Sequence, residues 1–240
     1  MAVGTNGRMA EQDAISLQGA LRDNGFSYIR GLPASCDHAS LFSFLGEVIP
    51  QYNGVAVREV RPEADMEGIY SVSNLDALSP HTEGYEFPTL PARYVVLWAV
   101  QPAAGPGGET TLADGYAYLE GFSPQDRRRL STDLYAWRSN VSLERRGVEL
   151  SRIHPALEHQ PDGLVMHYCS RDILRTGDPL QSRYVDEGLR FFADHHVAVA
   201  IEKDAVLVWD NWRMMHARNA FTDPRRHLRR VLLGDVRLRS

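Results

Sequence analysis

The chain has 240 residues, 43% of them hydrophobic, which suits one sizeable core and a single domain spanning 1–240. Lys and Arg number 26 against 31 Asp and Glu, for a net charge of -5. This lacks the basic field that nucleic-acid backbones or anionic membranes select, and excludes both as expected partners. No run approaches the roughly 20 apolar residues that span a bilayer, and Met1 to Ala10 contain no signal-like stretch. Cys36 and Cys169 lie far apart without a CxxC spacing, so neither a disulfide nor a zinc site is expected and the expected setting is the cytoplasm.

In chain order, Ile15, Leu17, Ala20 and Leu21 recur at helical spacing and predict a helix over 11–24, closed by Asn24-Gly25. A strand over 26–29 and a helix over 39–48, capped by Asp37, follow. This helix-strand-helix opening (about 11–50) is expected to pack on a core over about 54–237. There the texture changes to short β-type runs between Gly, Pro, Asn and Asp: 55–60, 68–72, 93–100, 164–168, 205–209 and 228–235. Helices are predicted over 124–134 and 182–199, on the outside of the sheets. The pattern is mostly β with flanking helices, a sandwich or jelly roll. No internal repeat, linker or heptad is visible, so the oligomeric state is not legible.

The chemistry-bearing pattern is Ser79-Pro80-His81-Thr82-Glu83-Gly84. In an extended backbone i and i+2 project to one side, so His81 and Glu83 can reach one ion. His216 follows the β-like run 205–209, as a third ligand. Two imidazoles and one carboxylate on one face of a metal leave positions open opposite, the arrangement non-haem iron oxygenases use. The other histidines carry structural readings: His195 and His196 diverge on a helix, His154 and His159 flank a turn, and His167 lines a pocket only if its strand is an inner one. Trp98, Trp209 and Trp212 read as core.

Downstream lie Gly107-Gly108-Glu109-Thr110-Thr111 and Arg225-Arg226-His227-Leu228-Arg229-Arg230. With the HxE pair and His216, this set resembles the taurine dioxygenase-like and clavaminate synthase-like 2-oxoglutarate oxygenases, from about residue 74 to 235. The resemblance implies a double-stranded β-helix of cupin type, with iron(II) on His81, Glu83 and His216, and 2-oxoglutarate and O₂ as cosubstrates. It also implies that Arg226 holds the distal carboxylate of 2-oxoglutarate with help from Thr110, with Arg225 as rival. A planar guanidinium grips a carboxylate through two parallel hydrogen bonds, which lysine cannot imitate. Strand alternation puts Arg226, Leu228 and Arg230 on one face. In relatives an arginine at the place of Arg230 binds an acidic substrate group; a solvated strand flank or an ion pair with one of the 31 acidic residues is the alternative. Arg218, two residues past His216, is a further candidate, and Asn74, Tyr85 and Phe87 flank the HxE pair as expected substrate contacts.

Glu83 in place of the commoner aspartate matches the amino-acid hydroxylase branch and argues against a halogenase, which lacks this carboxylate. The resemblance therefore implies oxidation, above all hydroxylation, of an unactivated C–H bond in a small anionic amino-acid-derived or natural-product substrate. Two other classes fit the same ligands: a cupin-like metal-dependent hydrolase or isomerase, which needs neither Thr110 nor Arg226, and a non-catalytic 2-oxoglutarate sensor.

Overall fold

Residues 9–235 are described by the computed structural model, so both ends of the expected 1–240 span and the last residues of the expected core lie outside the described residues. Two antiparallel sheets dominate. The larger runs Phe26–Arg30, Ala205–Asp210, Tyr94–Gln101 and His227–Gly234, with Glu47–Val48 and Val57–Val60 both on the free side of the last strand. The smaller runs Val197–Val199, Thr110–Asp114, Met214–Arg218 and Leu78–His81. Successive strands alternate between them: Tyr94–Gln101 in the large, Thr110–Asp114 in the small, Ala205–Asp210 in the large, Met214–Arg218 in the small and His227–Gly234 in the large. That winding is the expected double-stranded β-helix, or jelly roll.

Period-two alternation builds two apolar layers from the same strands. Val95, Leu97, Leu207 and Trp209 face inward with Leu112 and Met214, while Val96, Trp98, Val206 and Val208 face outward against Leu17 and Leu21 of the helix Glu11–Asn24. Burying each of those leucines stabilises the docked helix by roughly 1.5–3 kcal/mol. The helix stops at Gly25, whose φ of 78° lets its N–H cap the Leu21 carbonyl. On the opposite side the helix Pro179–His195, capped by Asp178, packs with Tyr118, Tyr168, Tyr184 and Trp137 against the smaller sheet.

Three predicted elements differ. The helix expected over 39–48 is two short turns, His38–Leu41 and Ser43–Leu45, followed by the strand Glu47–Val48. Gly46, at φ 142°, lies so close to Gly234 that a Cβ would sit 2.8 Å from its Cα, and the chain joins the sheet instead. The strand expected over 68–72 is irregular, following a 3₁₀ turn at Ala64–Met66 and Gly68 at φ 69°. The helix expected over 182–199 spans Pro179–His195, and Val197–Val199 becomes an edge strand beside Thr110–Leu112. Cys36 and Cys169 are free, and no helix among the described residues is long and apolar enough to cross a membrane.

Candidate active site

The strand Leu78–His81 is the edge of the smaller sheet, where Pro80, which has no amide hydrogen, is tolerated. Its last residue, His81, lies directly across from His216 of Met214–Arg218, with ring centroids 4.2 Å apart. Glu83 is not in that strand. Thr82 is pinned first: its N–H donates to the Tyr168 carbonyl at 2.8 Å and its Oγ1 accepts from the Tyr168 N–H at 3.0 Å. Asn211, fully buried, then holds the Glu83 backbone from both sides. Its Oδ1 accepts from the Glu83 N–H at 2.7 Å, and its Nδ2 donates to the Glu83 carbonyl at 3.2 Å and to that of Ala92 at 2.9 Å. A clamped turn, rather than extended i, i+2 geometry, aims the carboxylate.

The ligand atoms of His81, Glu83 and His216 lie within 4.8 Å of one another. Glu83 Oε2 stands 3.9 Å from His81 Nε2, 3.6 Å from His216 Nε2 and 2.8 Å from Arg230 Nη1. His81 Nδ1 faces the Ser79 carbonyl at 2.9 Å, so it donates there and leaves the Nε2 lone pair pointing inward. His216 Nδ1 is buried without such a partner. Burial, reinforced by His216, pushes the His81 imidazole down to about 4, so it is neutral near pH 7. Burial alone would raise the Glu83 carboxyl, but Arg230 and the two imidazoles hold it well below the usual carboxylate range. Two imidazole nitrogens and one anionic oxygen converging on one point are the donor set a divalent transition metal requires.

Arg226 lies against the same cavity as Thr110. Its buried guanidinium donates to the Gly108 carbonyl at 2.9 Å and sits 4.9 Å over the Phe221 ring. No carboxylate among the described residues is within 4.0 Å of it, and burial lowers it to about 10. A buried cation without a counterion is costly, and a ligand carboxylate would relieve it. The glycine pair makes the arginine's position possible. Gly107 and Gly108 have φ of 90° and 79°, and a Cβ on Gly108 would lie 3.1 Å from Arg226 Nε. Arg225 points outward, exposed and paired with Asp223 at 2.9 Å, which separates it from Arg226. As alternation requires, Arg226, Leu228, Arg230 and Leu232 all line the cavity.

Tyr85 and Phe87 line it too, with the Tyr85 hydroxyl donating to Asp172 at 2.8 Å. Asn74 does not. Its amide donates to the Ile69 carbonyl at 2.5 Å and to Asp76 at 3.1 Å, and its Oδ1 accepts from Arg218 at 3.0 Å. It is a brace for Arg218, which corrects its expected contact with substrate. Arg218 lines the cavity, but its guanidinium also donates to the Val72 carbonyl at 2.7 Å. His167 faces away, paired with Glu158 at 2.6 Å. His154, Glu158 and His167 also have ligand atoms within 4.8 Å, yet both His154 nitrogens face carbonyls, of Pro155 and Tyr85, at 2.8 Å, which are not part of a common ligand set.

The sequence reading missed four groups. Asn211 and Gln51 act through contacts 128 and 179 residues away, which no local pattern reveals. Arg58 sits on a strand that the sequence predicts, but only the pairing of that strand with the Arg230 strand brings it to the cavity. Glu86, three residues past Glu83, resembles a surface acid in sequence but is buried against the cavity.

No curated protein matches the sequence. Among solved structures the fold is similar to an asparagine oxygenase in complex with Fe(II), 2S,3S-3-hydroxyasparagine and succinate, at TM-score 0.76 and 18% identity over 93% of this chain and 79% of that one. It is also similar to the non-heme iron oxygenase OrfP in complex with Fe and alpha-ketoglutaric acid, at TM-score 0.72 and 20% identity over 94% and 81%. PvcB, an Fe, alpha-ketoglutarate dependent oxygenase from an isonitrile synthetic pathway, gives TM-score 0.65 and 25% identity over 93% and 82%. The model of the Taurine catabolism dioxygenase TauD, TfdA family matches residues 5–232, and the chain belongs to that family.

Proposed function

We propose that this protein is an iron(II)- and 2-oxoglutarate-dependent dioxygenase that hydroxylates an unactivated C–H bond of a small, anionic, amino-acid-derived substrate. One observation carries the reading: the His81, Glu83, His216 cluster opens onto the same cavity as Arg226, a buried guanidinium with no carboxylate of the described residues within 4.0 Å. A metal-dependent hydrolase has no use for that arginine.

His81 and His216 through Nε2 and Glu83 through a carboxylate oxygen would hold the iron, which when bound couples oxidative decarboxylation of 2-oxoglutarate to oxidation of the substrate. Arg226 and Thr110 would fix the distal carboxylate of the cosubstrate, orienting its keto-acid end toward the metal. Tyr85 and Phe87 form apolar wall and exclude water from the reacting carbon. Arg230, braced by Gln51 at 2.8 Å and by Glu83, adds positive potential over the substrate space. The similar structures support the class, since the asparagine oxygenase and OrfP complexes contain hydroxylated amino acids.

The test is succinate formation from 2-oxoglutarate in air by the iron(II)-loaded protein. Release that depends on iron and is lost in His216→Ala supports the reading. No succinate with any small-molecule addition, from a protein that binds 2-oxoglutarate, would make it a sensor instead.

A further inference from the structure

Two titratable side chains on the cavity wall have no ion-pair partner within 4.0 Å among the described residues and no role in holding iron or 2-oxoglutarate. Arg58 belongs to Val57–Val60, which pairs with His227–Gly234 in a register that sets Arg58 directly opposite Arg230. Like charges facing each other across a ladder repel. Arg230 is compensated by Glu83 at 2.8 Å and by Gln51, but no carboxylate among the described residues lies within 4.0 Å of Arg58, whose guanidinium rests 4.9 Å over the Tyr52 ring. Burial and the neighbouring Arg230 lower it to about 10. When a divalent ion draws on Glu83, the excess of positive charge at this pair grows.

Glu86 is the opposite case. It is 5% exposed, lines the same cavity, and its Oε2 is buried without a hydrogen-bond partner. It does not pair with Arg58 or with any other cation within 4.0 Å among the described residues. Burial pushes its carboxyl up to about 8, so it is largely protonated at neutral pH; a ligand cation beside it would draw it into the ionised form, as a ligand anion would relieve the unpaired guanidinium of Arg58.

Resting on the functional reading above, we propose that Arg58 binds the carboxylate and Glu86 the ammonium of a free, zwitterionic amino-acid substrate. Arg58, rather than the already compensated Arg230, is then the anion anchor. A substrate tethered to a carrier through its carboxyl group would lack the anion that Arg58 requires, so the substrate is a free molecule.

The test uses the protein loaded anaerobically with iron(II) and 2-oxoglutarate. The proteinogenic L-amino acids are added one by one, each beside its carboxamide and its N-acetyl derivative. Binding is followed by titration calorimetry and by perturbation of the visible band of the chelate. The expected result is that at least one free amino acid binds and both its derivatives bind at least about tenfold more weakly. Arg58→Met is expected to abolish discrimination against the carboxamide alone, and Glu86→Gln that against the N-acetyl form alone. Both variants keep the chelate band and wild-type affinity for 2-oxoglutarate, which reports an intact fold, and Arg58→Lys keeps part of the carboxylate preference. Failure of every free amino acid to bind, or discrimination unchanged in the two variants, would overturn the proposal while the functional reading stands. Absence of the chelate band from the wild type would overturn that reading and the proposal with it.

Discussion

Replacing Asn211 with Asp is a nearly isosteric change that separates aiming of the metal ligand from ligation itself. Asn211 makes three hydrogen bonds at a fully buried position: one accepted from the Glu83 N–H and two donated, to the carbonyls of Glu83 and Ala92. Aspartate keeps the acceptor and loses both donors, so two buried carbonyls then face an anion. At about 1–3 kcal/mol for each of the two buried carbonyls left unpaired, Asn211→Asp is expected to cost about 2–6 kcal/mol of stability. Because the same contacts aim Glu83, iron(II) affinity is expected to fall about 10–100-fold, the usual effect of losing a partner that orients a metal ligand. Urea unfolding gives the first quantity and competition with a chromogenic chelator gives the second. A variant within about 0.5 kcal/mol of wild type, the range of an innocuous surface change, with unchanged iron affinity would refute the clamp.

Gly108→Ala places a methyl against Arg226 at a φ of 79°. Losing a hydrogen bond to a charged group costs about 1.5–3 kcal/mol, so 2-oxoglutarate should bind about 10–150-fold more weakly while iron affinity holds. Equal 2-oxoglutarate affinity by calorimetry would contradict the role given to the glycine pair. His38 is buried and stacked on Trp98 at 4.2 Å, and burial lowers its pKa below the ordinary 6.5. The unfolded chain therefore binds the proton more tightly, and this contribution to stability is lost as pH falls through 6.5 toward the folded value. His38→Phe should flatten the pH dependence of the urea midpoint in that window, and an identical slope would count against it. In Gly188→Ala the new Cβ would lie 2.7 Å from the Tyr168 hydroxyl oxygen, and overpacking of this kind costs about 1–3 kcal/mol. An unchanged thermal midpoint would contradict the close packing of the helix Pro179–His195 on Tyr168.

The strands legible in the sequence are those buried on both faces, such as Tyr94–Gln101 and Ala205–Asp210, because continuous apolar runs announce themselves. The two strands that carry the histidine ligands were not. Leu78–His81 contains a proline and two polar residues, and Met214–Arg218 places a histidine and an arginine inward, so chemistry displaces the hydrophobic pattern there. The ligand positions were recognisable from residue type and order, and alternation correctly grouped Arg226 with Arg230. Asn74 misled because nearness to the HxE pair in sequence says nothing about which way a side chain turns once Arg218 competes for it. Asn211, Gln51 and Arg58 were hidden because the contacts that define them exist only after the strands pair.

The most direct measurement of the central claim is the anaerobic visible spectrum of the protein with iron(II) and 2-oxoglutarate. The account predicts a weak charge-transfer band from the chelate in wild type, no band in His216→Ala, and a band reached only at much higher 2-oxoglutarate concentration in Arg226→Ala. No band in the wild type, or a band that survives both substitutions unchanged, would contradict the assignment of His81, Glu83, His216 and Arg226 to one working centre.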